Sequence, residues 1–169
     1  MSRHEDDAEL VPLEVAGVRR HMPADDLVVL LLEPVDGVVL PIVVGPAEAT
    51  SIAVAVEGVV PARPLTHDLL CSVLEATGAV LDHVEITGLV DGVFHAELVL
   101  GSGARVDSRA SDAIAVAVRL GRPVLCHREV LEAAGVPTTS ESEEDEVERF
   151  REFLEQVEPE DFQRDEPSP

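Results

Sequence analysis

The pentapeptide Ile52-Ala53-Val54-Ala55-Val56 recurs letter for letter as Ile114-Ala115-Val116-Ala117-Val118. Each copy follows a run of β-type residues, has an acid just upstream (Glu48, Asp112), and is closed by a glycine (Gly58, Gly121). Alternating Ile, Ala and Val suit either the strand or the helix period. The flanking caps favour helix in both places. The match fits internal duplication of a strand–strand–helix unit, and it also fits coincidence among three residue types. In either case, strands and short helices share one chain, which implies an α+β fold.

The core of such a fold must be aliphatic. Hydrophobic residues make up 46% of the 169 residues, yet there are four Phe, no Trp and no Tyr. Stacking of nucleobases on aromatic side chains therefore has few candidates. All twelve basic residues are Arg, set against 34 acids, for a net charge of −22. Residues 1–137 hold 21 of the acids and residues 138–169 the other 13. So acidic a surface repels phosphate backbones at long range and lacks the broad basic footprint of ordinary nucleic-acid binders. Cys71 and Cys126 form neither a disulfide framework nor a zinc spacing. No apolar run reaches the length of a membrane span, and no signal-peptide pattern opens the chain. A soluble, cytoplasmic protein is expected.

Punctuation places the elements. Leu13–Val18 alternates, and Leu27–Leu32 and Val38–Val44 are apolar runs around the turn signal Asp36-Gly37. Pro41 implies an edge or a bulge. A helix is expected from Ala47 to Glu57, and a second from His67 to Thr77 with Thr66 as its N-cap. Ala79–Leu89 and Val93–Leu100 form a hairpin around Asp91-Gly92. Matching apolar faces pairs Val84 with Leu98 and Ile86 with Ala96, which requires one extra residue, assigned to a three-residue bulged loop. The same register sets Thr87 beside His95 and Glu85 beside Glu97. A short strand from Ala104, a helix from Ser111 to Gly121, a strand at Arg122–Cys126 and a helix at Glu129–Ala134 complete a domain over residues 10–137. This is a mixed sheet with three or four packed helices. Residues 138–169 read as an acidic linker and tail, whose stripe Val147, Phe150, Leu154 and Val157 marks an amphipathic helix. A lone stripe needs a surface, and a homo-oligomer formed through the tail or the domain surface is expected.

Four motifs follow one another in order: Leu40-Pro41-Ile42-Val43-Val44-Gly45-Pro46-Ala47-Glu48-Ala49, Arg63-Pro64-Leu65-Thr66-His67-Asp68-Leu69, Asp91-Gly92-Val93-Phe94, and Ser108-Arg109-Ala110-Ser111-Asp112-Ala113-Ile114-Ala115. Together they strongly resemble the bifunctional nuclease family, from about Val11 to Ala134, and the tail resembles actinobacterial members. The chain departs from the family pattern at Val43 and His95, where aromatics are common, and at Ala110, where Pro is usual. The resemblance implies hydrolysis of RNA or DNA with low sequence preference.

Each polar motif residue has two readings. Asp68, Asp112 and Glu48 suit first helical turns electrostatically, and Ser111 suits a cap. They also suit a metal-assisted phosphodiesterase. On that reading His67, Asp68 and Asp112 are catalytic, Glu48, Asp68 and Asp112 hold Mg²⁺ or Mn²⁺, and Arg63, Arg109 and Ser111 contact phosphate. Glu48 and Asp112 would then face one cleft. Glu85, Glu97, His95 and His83 read as a solvated polar face. The rival function is a non-catalytic regulatory or assembly module, which the net charge favours.

Overall fold

Valine- and leucine-rich runs become strands. In the computed structural model, which describes residues 9–21 and 24–138, β1 (Leu10–His21), β2 (Asp26–Glu33) and β3 (Val38–Val44) form an antiparallel meander. β4 (Leu81–Val90), β5 (Val93–Leu100) and β6 (Arg105–Arg109) form a second. β7 (Val124–His127) joins them, parallel to β4 and antiparallel to β1. The two-residue β8 (Val136–Pro137) pairs with the start of β3. The result is one mixed sheet in the order β6-β5-β4-β7-β1-β2-β3-β8. Residues 1–137 and 138–169 separate as two units. The amphipathic stripe from Val147 to Val157 lies outside the described residues.

A helix carrying the repeated pentapeptide follows each meander: α1 (Pro46–Val56) after β3, and α3 (Ala110–Leu120) after β6. Both copies are helical, and Ile52 and Ile114 are both fully buried. The repeated unit is one strand longer than the sequence suggested. α2 (Thr66–Ala76) lies between the halves in sequence, and α4 (Arg128–Ala134) follows β7.

Register puts the large aliphatics on one face. Val11 and Leu13 pair with Cys126 and Val124, which pair with Ile86 and Val84, which pair in turn with Ala96 and Leu98. These residues join Val29, Leu31, Leu40, Ile42 and the buried side of α3 in one core. Burial in that apolar setting pushes the Cys126 thiol up to about 12. Small residues let α3 approach closely, since Ala110, Ala113, Ala115 and Ala117 are all buried.

Val84–Leu98, Glu85–Glu97 and Ile86–Ala96 pair as the apolar faces demanded. The turn itself differs. Val90 pairs with Val93, so the loop is the two residues Asp91 and Gly92, both with positive φ (51° and 79°). That is the hairpin geometry whose twist matches the strands. The extra residue sits inside β4 as a bulge at Thr87, and His95 pairs with Gly88. Two further details refine the sequence reading. Pro41 lies on β3 beyond the two residues that β8 covers, an edge position. Thr66 is the first helical residue of α2 and Leu65 is the N-cap, because the Asp68 carboxylate accepts the Leu65 N–H at 2.7 Å.

Candidate functional site

The first turns of three helices meet at one place. Glu48 is the third residue of α1, Asp68 the third of α2 and Asp112 the third of α3. Each acid suits its helix dipole, but only Asp68 also caps, through the Leu65 N–H. α1 and α3 have no side-chain cap, and Ser111, expected to cap α3, lies inside it behind Arg109. Arg109, the N-cap of α3, ties two of them together. Its guanidinium donates to Asp112 Oδ2 at 2.7 Å and Oδ1 at 3.0 Å, and to Glu48 Oε1 at 2.9 Å. Glu48 and Asp112 therefore do face one cleft, and the cation between them is Arg109.

His67, in the first turn of α2, extends the array inward. Its Nε2 lies 3.0 Å from Asp112 Oδ1, and its Nδ1 lies 2.8 Å from Ser51 Oγ on α1. Arg119, in the last turn of α3, donates to Ser51 Oγ at 2.9 Å and to Asp68 Oδ1 at 2.6 Å. A continuous line runs Glu48–Arg109–Asp112–His67–Ser51–Arg119–Asp68. The five residues Glu48, His67, Asp68, Arg109 and Asp112 thus converge in one network. Arg63 is exposed and outside it, and Ser111 adds no hydrogen bond to it.

Sequence reasoning missed Ser51 and Arg119. The available signal was polarity on apolar helices, since Ser51 directly precedes the first pentapeptide and Arg119 directly follows the second. Ser51 is buried and Arg119 half-buried with its side chain only 8% exposed, and an arginine so placed requires partners.

The electrostatics favour charged carboxylates. Arg119, then the Leu65 N–H, holds Asp68 below the usual range. Partial burial works to raise Asp112, but hydrogen bonds from Arg109 and His67 outweigh it and the net shift is downward. Glu48 is lowered by its own backbone N–H and by Arg109.

Glu48, Ser51, His67, Arg109 and Asp112 of the array line a cleft of about 760 Å³. The rest of its lining is largely aliphatic: Leu70 and Leu74 of α2, Leu98 and Leu100 of β5, Val106 of β6 and Val116 of α3. A second cleft of about 330 Å³ adjoins it, lined by Val43, Gly92, Phe94 and Ser111 among others. Glu48 and Arg109 border both clefts.

Among the described residues, no three His, Cys, Asp or Glu groups are close enough to enclose a metal ion. Glu48, Asp68 and Asp112 do not close into one ligand set, because both Asp68 oxygens are taken by Arg119 and the Leu65 N–H. Glu48 and Asp112 are themselves engaged by Arg109, so a divalent cation would be held by this pair only where the guanidinium turns from them to a phosphate.

The family model of the bifunctional nuclease domain matches residues 29–139, a span that contains every residue of the array. This chain belongs to the bifunctional nuclease domain family. Uncharacterized proteins from two strains of Mycobacterium tuberculosis are each 41% identical to it over 158 residues, covering 89% of this chain and 96% of theirs. No helix among the described residues is long and apolar enough to cross a membrane.

On the outer face of the sheet, Glu85, Glu97 and His83 are more tightly paired than a solvated face requires. Arg105 donates to Glu97 Oε2 at 2.6 Å and to both oxygens of Glu85, and His83 Nε2 lies 2.7 Å from Glu85 Oε1. Arg105 offsets the repulsion of two acids directly opposite one another. Burial works against the Glu85 charge, yet Arg105 and His83 draw its pKa down to about 2.

Proposed function

We propose that this protein hydrolyses phosphodiester bonds of RNA or DNA with low sequence specificity, at the Glu48–Arg109–Asp112–His67 end of the array. The observation that carries the reading is the convergence of an exposed guanidinium, a carboxylate and an imidazole at the first turns of three helices, in a chain of this family. Helix N-termini and Arg109 both favour a phosphate there.

Proton transfer follows from the hydrogen bonds. In its imidazolium form His67 donates from Nδ1 to Ser51 Oγ and from Nε2 to Asp112 Oδ1, a contact that Nε2 exchanges for the departing oxygen when a phosphodiester occupies the cleft. Asp112 accepts a proton from the attacking water as the new P–O bond forms. Nε2 gives its proton to the departing oxygen as the old P–O bond breaks. Asp112 then returns its proton across the 3.0 Å contact to Nε2, and the pair is reset. Arg119 fixes Ser51, and Asp68 fixes Arg119, so the ring is held from behind. A divalent cation, Mg²⁺ or Mn²⁺, would be held by Glu48 and Asp112 and would neutralise charge on the phosphate.

The test is cutting of single-stranded RNA and DNA with Mg²⁺ or Mn²⁺, with and without chelator, by wild type and His67→Ala. Cutting that requires the ion and is lost in the variant is expected. Equal cutting by the variant removes His67 from the chemistry. The net charge of −22 favours a regulatory or assembly module instead, and absence of cutting in every condition selects that function.

A further inference from the structure

We infer that the substrate is read as a dinucleotide unit, with one nucleoside on each side of the Glu48–Arg109 pair. The inference rests on the phosphodiesterase reading above and adds the substrate class. Its basis is the two adjoining clefts, about 760 and 330 Å³, which share Glu48 and Arg109 as their common border. Both fall within the roughly 300–1,000 Å³ typical of small-ligand sites. A phosphate paired with Arg109 at that border has a cleft on either side of it. The larger cleft offers an aliphatic wall and, on its rim, the Asp107 carboxylate and Thr66 hydroxyl for the polar edge of a base. The smaller offers Phe94 and Val43 for a base face.

Charge argues for a short substrate. A long strand needs a track of unpaired cations, and among the described residues only Arg19 on β1, Arg63 between α1 and α2, and Arg122 after α3 have no carboxylate partner. Arg20, Arg105, Arg119 and Arg128 are each paired with a carboxylate, and Arg109, paired with Glu48 and Asp112, is 67% exposed and open to a phosphate. Every phosphate beyond the one at Arg109 meets a strongly acidic protein, so added length brings repulsion.

The probes are a dinucleotide, a base-free dimer of the same sugar and phosphate, and a 30-nucleotide single strand. Binding is read by calorimetry in Ca²⁺ and hydrolysis in Mg²⁺ or Mn²⁺. The variants are Val106→Glu and Val43→Glu, at side chains 48% and 64% exposed on the two cleft walls. The dinucleotide should bind at least tenfold tighter than the base-free dimer, and either variant should erase that difference. Per phosphodiester, it should be cut at least as efficiently as the 30-nucleotide strand. Cutting of the long strand without binding of the dinucleotide overturns the inference and leaves the hydrolase reading standing. Dinucleotide binding without cutting of any probe retains the ligand class and overturns the hydrolase reading. Neither binding nor cutting overturns both.

Discussion

At the residue scale, Arg109 and Glu85 show how differently two ion pairs act in one small protein. Arg109 is 67% exposed, so its pairs with Glu48 and Asp112 add little to stability. Arg109→Ala should change unfolding free energy by no more than about 1 kcal/mol in a urea titration, while phosphate-ester turnover falls steeply. Glu85 is buried and holds the outer cluster together. Its folded-state pKa of about 2 lies below the ordinary 4.5, so its contribution is complete above that ordinary value and is lost as pH falls toward 2. Glu85→Gln should cost roughly 3 kcal/mol at pH 7, and the gap from wild type should close between pH 4.5 and 2 in chemical unfolding. Glu48, His67, Asp68, Arg109 and Asp112 were legible as candidates because each is polar at a helix start. Ser51 and Arg119 were not, because a serine or arginine on an apolar helix announces no partner until the helices pack.

At the element scale, patterning recovered most strands and helices, and registers followed wherever one face is buried. The β4–β5 hairpin shows the limit. Alternation demanded one extra residue, but nothing in alternation says whether it sits in the loop or in the strand. The Asp91-Gly92 pair adopts the tight left-handed turn, and Thr87 takes up the extra residue. Gly92→Ala should therefore destabilise by about 1 kcal/mol from backbone strain alone, since an added Cβ would meet no atom within 4 Å. Gly135 is constrained differently, by space. A Cβ there would collide with the Leu131 carbonyl and lie 2.6 Å from Val38 Cγ1. Gly135→Ala should displace the α4–β8 junction and lower the melting temperature by more than Gly92→Ala does. β8 itself was not legible, because two residues ending in Pro137 carry no strand period.

For the whole molecule, the central tension lies between the net charge of −22 and a polyanionic substrate. Screening should relieve it. Turnover of a single strand at subsaturating concentration should rise as salt goes from about 20 to about 150 mM, opposite to the usual loss for basic nucleic-acid binders. The fold contributes by bringing two meander–helix halves together, so that α1 and α3 meet and the first turn of α2 closes the array. That convergence is a tertiary fact, which motif order suggested only through family resemblance. It also makes a strong demand on kinetics, because residues that pass one proton among themselves must fail together. The direct measurement is kcat/KM for His67→Ala, Asp112→Asn and the double variant on one phosphodiester, with folded fraction matched by near-saturating stability conditions. Each single change should reduce the rate by about 100-fold or more, and the double variant should be no worse than the poorer single variant by more than about threefold. Losses that multiply, or a single variant that cuts like wild type, would contradict a shared proton path between His67 and Asp112.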